Sequence, residues 1–262
     1  MIIRSVVAGP TTQSSAAPSP AWKAVEQIQK QDSSEYLLVT QPDHAHISGT
    51  IASAFDRTRF PLITSEVVEA IRLHDEGWAA FEGNSQAPRE PLQTEGGKPL
   101  TFLDAGPEMF LKAWMGSIAV AASTGSTGQY LVSGHFRALA EHRLNLVFDP
   151  PETAERLTDF AAREAERQCD LLPKTGRSRE ELKRLLAALQ FCDLISLVIC
   201  SGVSIPVEFS TDFGVGPIRM NRHRDRFSLA PCPLEKSVTL EIPELQFGAE
   251  PLRTRMVQVN LS

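Results

Sequence analysis

A chain of 262 residues with 42% apolar and 22% charged side chains is long enough to bury a sizeable core and has the composition of an ordinary globular protein. Its net charge of −6 argues against a general nucleic-acid binder, which would carry a basic excess. Four cysteines without a CxxC pair, no long apolar leader region and no apolar run of the ~18 residues a membrane span needs point to a cytoplasmic protein without membrane attachment.

In chain order, "MIIRSVV" alternates enough for a short strand, and the Ser-, Thr-, Ala- and Pro-rich run from Gly9 to Pro20 reads as a flexible connection. After the apolar "EYLLV", the stretch "QPDHAHISG" (Gln41 to Gly49) sets two histidines at the mouth of a helix. With "DHAHISGTIASAF" helical, His44 shares a face with Ser48, Ile51, Ala52 and Phe55, the inward stripe, while His46 aligns with Thr50, Ser53 and Arg57. His44 therefore points in and His46 out. Asp43 either orients His44 or caps the helix.

A second helix is expected over "TSEVVEAIRLHDEGW", with Thr64 or Ser65 as N-cap and Glu66 in the first turn. Val67, Ile71, His74, Asp75 and Trp78 follow one stripe, so a His-Asp pair stands where leucines are expected. The Pro/Gly-rich run Gly83 to Leu100 is too long for a minimal connection and could fold over a site. "STGSTG" (Ser123 to Gly128) lacks the lysine and spacing of a phosphate loop and reads as a helix break.

A helix over Gln129 to Val147 carries Leu131, His135, Leu139 and His142 at helical spacing. The next opens with the capping box "SREE" (Ser178 to Glu181) and continues Leu182, Leu185, Leu186, Leu189, Asp193, Ser196, Leu197, Cys200. Asp193 stands inside a leucine stripe, where a carboxylate is costly unless it is paired or metal-bound. Beyond Ile205, "RFSLAPCPL" and "KSVTLEIPELQF" read as strands of a small antiparallel β appendage. "RMNRHRDR" (Arg219 to Arg226) reads as a charged loop that could offer a guanidinium to a phosphate.

The pattern predicts a mainly α protein: a strand and flexible connection over residues 1–34, a helical domain over 35–204 and a small β appendage over 205–262. A lone inward histidine or helical aspartate is ordinarily a hydrogen-bonded core group. Here His44, His74, Asp75, His135 and Asp193 all point inward from four predicted helices. Together they suit a divalent metal (Mn, Fe, Zn or Mg, as one or two ions) through imidazole nitrogen and carboxylate oxygen.

The order of a histidine, a His-Asp doublet and a distant aspartate resembles the HD-domain superfamily of metal-dependent phosphohydrolases, and "FCDLIS" looks like the context of its last ligand. The resemblance implies an HD-like helical bundle, with His44 as first ligand, His74 and Asp75 as the doublet and Asp193 as the last. His135, and after it His142, fall where some members place ligands of a second metal. "QPDHAHISG", "HDEGW" and "LVSGHF" are also similar to an uncharacterised bacterial family, domain of unknown function 3891, over most of the chain. What the resemblance implies is hydrolysis of a small phosphorylated, nucleotide-like substrate by metal-activated water, with His135 and Asp75 catalytic. A non-catalytic metal-containing sensor and a di-iron oxygenase are the alternatives. No phosphate loop, GxGxxG or GxSxG motif supports another class.

Overall fold

The computed structural model describes residues 1–5, 18–33, 35–146, 149–211, 213–248 and 252–262. The N-terminal part runs β1 (Ile2–Arg4), β2 (Ser19–Pro20), α1 (Ala21–Gln29), β3 (Leu37–Val39), α2 (Gln41–Ser53), α3 (Ser65–Arg72), α4 (Ala79–Glu82), β4 (Gly83–Asn84) and β5 (Ala87–Pro88). Then come α5 (Pro107–Ala121), α6 (Ser126–Leu146), α7 (Pro151–Thr175), α8 (Arg179–Cys200), β6 (Val207–Phe209), β7 (Ile218–His223), β8 (Arg226–Ala230), β9 (Val238–Gln246) and β10 (Arg253–Leu261).

Local chemistry sets the helix ends. Thr40 caps α2 by accepting from the Asp43 N–H at 3.2 Å, and its hydroxyl donates back to Asp43 Oδ2 at 2.6 Å. Ser178 and Glu181 form the capping box expected for α8. Pro107 and Pro151 open α5 and α7, where a missing N–H costs nothing, and Gly176 ends α7 in the left-handed region at φ 64°. The break at Ser123 to Gly128 is real: α5 ends before it, and Gly125 turns the chain at φ 98°.

About half of the chain is helical, and the rest of the architecture is an eight-stranded sheet in the order β1-β3-β9-β10-β8-β7-β6-β2. Neighbours are antiparallel except β10 with β8 and β2 with β6. Helix α1 touches β1 at one end of the order and β2 and β6 at the other, so the sheet curls around it as a half-barrel.

This corrects the expectation of a mainly α, HD-like bundle with a small β appendage. The C-terminal strands are not an appendage, because β9 pairs with β3 and, through it, with β1, while β6 pairs with β2. Strands as short as β2, β3 and β6 show no period of two, and β1, legible from its alternation, gives no sign of its partner. Their partners lie up to about two hundred residues away, beyond any local pattern. The basic run Arg219 to Arg226, expected as a loop, forms β7, a turn through Arg224 at φ 57°, and the start of β8. Most of the flexible connection expected over Gly9 to Pro20 lies outside the described residues, as do Val6, Val7 and Val147.

The sheet and the helices are tied at the C-terminus of α8, whose last carbonyls have no partner within the helix. Buried Arg4 pairs with Glu244 of β9 and donates from Nη1 to the carbonyls of Ile199 (2.6 Å) and Cys200 (3.1 Å). Gln29 bonds both backbone groups of Ile3 and donates to Ser201 Oγ at 3.1 Å. Arg222 Nη1 donates to the Gly202 carbonyl at 2.7 Å. One apolar cluster runs from Ile2 to Leu261 through both layers. No described helix is long and apolar enough to cross a membrane.

Candidate metal centre

Close backbone approach brings four chain segments to one point. A methyl group on Gly49 of α2 would lie 2.5 Å from Arg72 Cβ, so the glycine lets α2 and the end of α3 meet. Helices α2 and α8 meet through a hydroxyl pair: Ser48 and Ser196 Oγ are 2.7 Å apart, and whichever hydroxyl does not donate across the pair donates to a carbonyl of its own helix, that of His44 for Ser48 or of Asp193 for Ser196. The segment after α3 rests on α5, where a methyl on Gly77 would fall 2.0 Å from the Ala113 carbonyl oxygen. The Gly77 N–H donates to Ser117 Oγ at 3.0 Å.

The His-Asp doublet is not helical, contrary to the sequence reading. Helix α3 stops at Arg72, and His74 and Asp75 occupy the irregular turn before a 3-10 turn at Glu76–Trp78. A helical stripe extrapolated past Leu73 placed both side chains on the inner side, and the turn keeps them there by other means.

His44, His74, Asp75 and Asp193 each offer one ligand atom, and these atoms all lie within 4.8 Å of one another. Both imidazoles are held the same way. His44 Nδ1 donates to the Gln41 carbonyl and His74 Nδ1 to the Ile71 carbonyl, each at 2.7 Å and three residues back. With the proton held on Nδ1, both Nε2 atoms face Asp193 Oδ1, at 3.0 and 3.3 Å. A neutral imidazole would there set a nitrogen lone pair against a carboxylate oxygen. The arrangement therefore calls for a positive charge between them, either a proton or a metal cation. Two imidazoles and two carboxylates fit a divalent ion in donor type and in charge. The histidine side chains are fully buried, whereas Asp75 and Asp193 retain 10% and 15% exposure, so the carboxylates form the accessible rim.

The electrostatics of the four residues follow the same logic. Burial disfavours a charged His74, but Asp75 and then Asp193 outweigh it and lift the imidazole to about 9. Burial would also raise the Asp193 carboxyl, yet hydrogen bonds from His44 and His74 hold it well below the usual carboxylate range. Burial keeps Asp75 above its ordinary value against the pull of His74 and His44.

His135 of α6 stands beside this group and not within it. Its Nε2 is 3.7 Å from Asp193 Oδ2, its ring packs edge-on against His74, and its buried Nδ1 has no hydrogen-bond partner. Burial, opposed by Asp193 and aided by His74 and His44, lowers its imidazole to about 4. The cluster is thus a four-residue group with His135 at its edge, where the sequence pattern had placed five equal candidates.

Other sequence candidates separate from the site. His46 is half exposed, with Nε2 3.8 Å from Glu76, and His142 is exposed on α6. Asp43 does not cap α2 and has no hydrogen bond to His44's ring: its carboxylate accepts from the capping Thr40 hydroxyl, from Ser85 N (3.0 Å) and from Ser85 Oγ (2.9 Å). That bond fastens the Gly83 to Leu100 loop, which contains the β4–β5 hairpin, to the start of α2. Cys192 and Cys200 are buried thiols, raised by burial. Among the described residues, cavities of about 620, 390 and 380 Å³ lie elsewhere, lined by α5 and α7, by Phe60 and α8, and by α2 and β9 respectively. Sequence reasoning missed the carbonyls of Gln41 and Ile71, which carry no side-chain signal. The serines at 48 and 196 were visible as polar residues on apolar stripes.

No curated protein and no solved structure matches the chain. The family described as "Protein of unknown function (DUF3891)" matches residues 27–247, a span that holds His44, His74, Asp75, His135 and Asp193. Neither that match nor the curled sheet supports the likeness to the HD-domain superfamily. With more than four-fifths of its length matched, the chain belongs to the DUF3891 family.

Proposed function

We propose that the centre holds a divalent ion (Mn, Fe, Zn or Mg) and that the protein is a metal-dependent hydrolase of a phosphoester or nucleotide-like substrate. The observation that carries this reading is the convergence of two imidazoles, each with its proton fixed on Nδ1, and two carboxylates within 4.8 Å. When bound there, such an ion supplies Lewis acidity toward a phosphoryl oxygen and makes water a nucleophile near neutral pH. His44 and His74 would hold it through Nε2, and Asp75 and Asp193 would balance its charge. Asp75, its carboxyl made more basic by burial, would exchange a proton with water at the rim, and neutral His135, buried beside Asp193, would assist from behind it. The buried walls exclude bulk solvent and strengthen each of these interactions.

The test is elemental analysis of the purified protein, followed by a panel of phosphomonoesters, phosphodiesters and nucleotides. The reading expects a stoichiometric ion and turnover on one substrate class that a chelator abolishes and added metal restores. A stoichiometric ion with no turnover across the panel would overturn the hydrolase reading in favour of a metal-holding sensor. A mixed-valent di-iron signal would redirect it to oxygen chemistry.

A further inference from the structure

Strand β10 pairs along its full length with β9 but meets β8 only at Asn260 and Leu261. The Asn260 N–H donates to the Asp225 carbonyl and the Ser262 N–H to that of Phe227, so the even-numbered residues turn their backbone groups away from β9. By the two-residue period of a strand, Thr254, Met256 and Gln258 do the same. Among the described residues no backbone group meets theirs. Arg253, Thr254, Arg255, Met256 and Gln258 are all exposed, and Met256, at 55%, is the most exposed large apolar side chain described. An open edge of this length is a template for another strand unless something blunts it.

We propose that this edge pairs antiparallel with the same edge of a second copy of the chain, about a two-fold axis through Met256. The occupant and the register follow from the order of charges. A two-fold at Met256 sets Thr254 opposite Gln258, Met256 opposite Met256, and Arg255 opposite Val257. Each outward-facing pair then exchanges both backbone hydrogen bonds. A centre at Thr254 or Arg255 sets arginine against arginine, which is destabilising. A centre further along runs into Asn260, whose N–H is already bonded to Asp225. The face carrying Met256 is uncharged from Thr254 to Gln258. Arg255 lies off that face, its Nε donating at 2.6 Å to Glu244, a carboxylate it shares with Arg4, and the pairing sets it opposite Val257. Such an isologous contact closes on itself and does not propagate into fibres.

Sedimentation equilibrium of the full chain tests the proposal. The expected result is a concentration-dependent rise in mass from 28.8 kDa toward twice that value. Met256→Pro removes an outward N–H without touching the β9 ladder and should return the protein to monomer, whereas Leu139→Lys, at an exposed position on α6, should not. Register is read by cysteine substitution with Cys169 and Cys232 replaced by serine. Met256→Cys should oxidise to a covalent dimer, and Thr254→Cys, which faces Gln258 of the other copy, should not. If Met256→Pro fails to fold, the cysteine pair still decides. A monomer at all concentrations, or equal cross-linking at both positions, would overturn the proposal.

Discussion

In the layer formed by α2, α8 and the turn after α3, buried polar atoms face inward and converge: two Nε2 atoms meet one aspartate oxygen, and two hydroxyls bridge the helices behind them. On the β9–β10 ribbon the polar groups of the backbone face outward along an exposed edge. The contact between them is structural, with Glu244 of β9 holding Arg4, which in turn caps α8. Helices can gather distant side chains at one buried point because each keeps its backbone satisfied internally. A strand depends on a neighbour and offers its free edge to whatever can pair with it. On this account the helical layer carries the chemistry, and the sheet carries the scaffold and the contact with a partner.

Variants that act on one region and spare the other can break that division. The largest loss of stability is expected from Glu244→Ala, which leaves Arg4 buried without its carboxylate and should cost about 3–5 kcal/mol in a denaturant titration. Metal bound per folded molecule should not change. A fold-competent variant that no longer binds metal would show that the sheet shapes the site directly. Gly77→Ala comes next, because its new methyl must displace the turn from α5, at about 1–3 kcal/mol of strain. Since His74 and Asp75 ride on that turn, metal affinity should fall as well. Unchanged affinity would mean that α5 does not set the doublet.

Ser48→Ala removes one hydroxyl from the α2–α8 bridge while Ser196 keeps its bond to the Asp193 carbonyl, so the cost should be about 1 kcal/mol with a small fall in affinity. The smallest effect belongs to His46→Ala. His46 lies two residues past His44, on the outward face of α2, and metal content should match the wild type. A comparable loss in His46→Ala and His44→Ala would show that the inward face of α2 has been misassigned.

The helical layer was the readable part of this sequence. Period 3.6 separated His44 from His46 and placed Asp193 inside a leucine stripe, and the S-x-x-E motif marked the capping box at Ser178. The same rule extended a helix too far through His74 and Asp75, because it does not see that α3 ends at Arg72 or that Gly77 must fit against Ala113. The carbonyls that fix the imidazoles are backbone atoms and leave no trace in residue identity. Of the sheet, β8, β9 and the short β1 were legible as strands, whereas β7 read as a charged loop. The pairing of Ile2 with Val39, and of Ser19 with Val207, depends on contacts that no local window contains.

The central claim is that Asp193, with the two Nδ1-locked histidines and Asp75, forms a cation site and not a packing pair. Metal content and thermal melts of the wild type, Asp193→Asn and Asp193→Ala test it most directly, since Asn keeps the volume and removes the charge. The account predicts that both variants lose affinity by more than the ~10–100-fold typical of residues that only support a ligand. Undiminished metal in both variants, with lower melting temperatures alone, would contradict it.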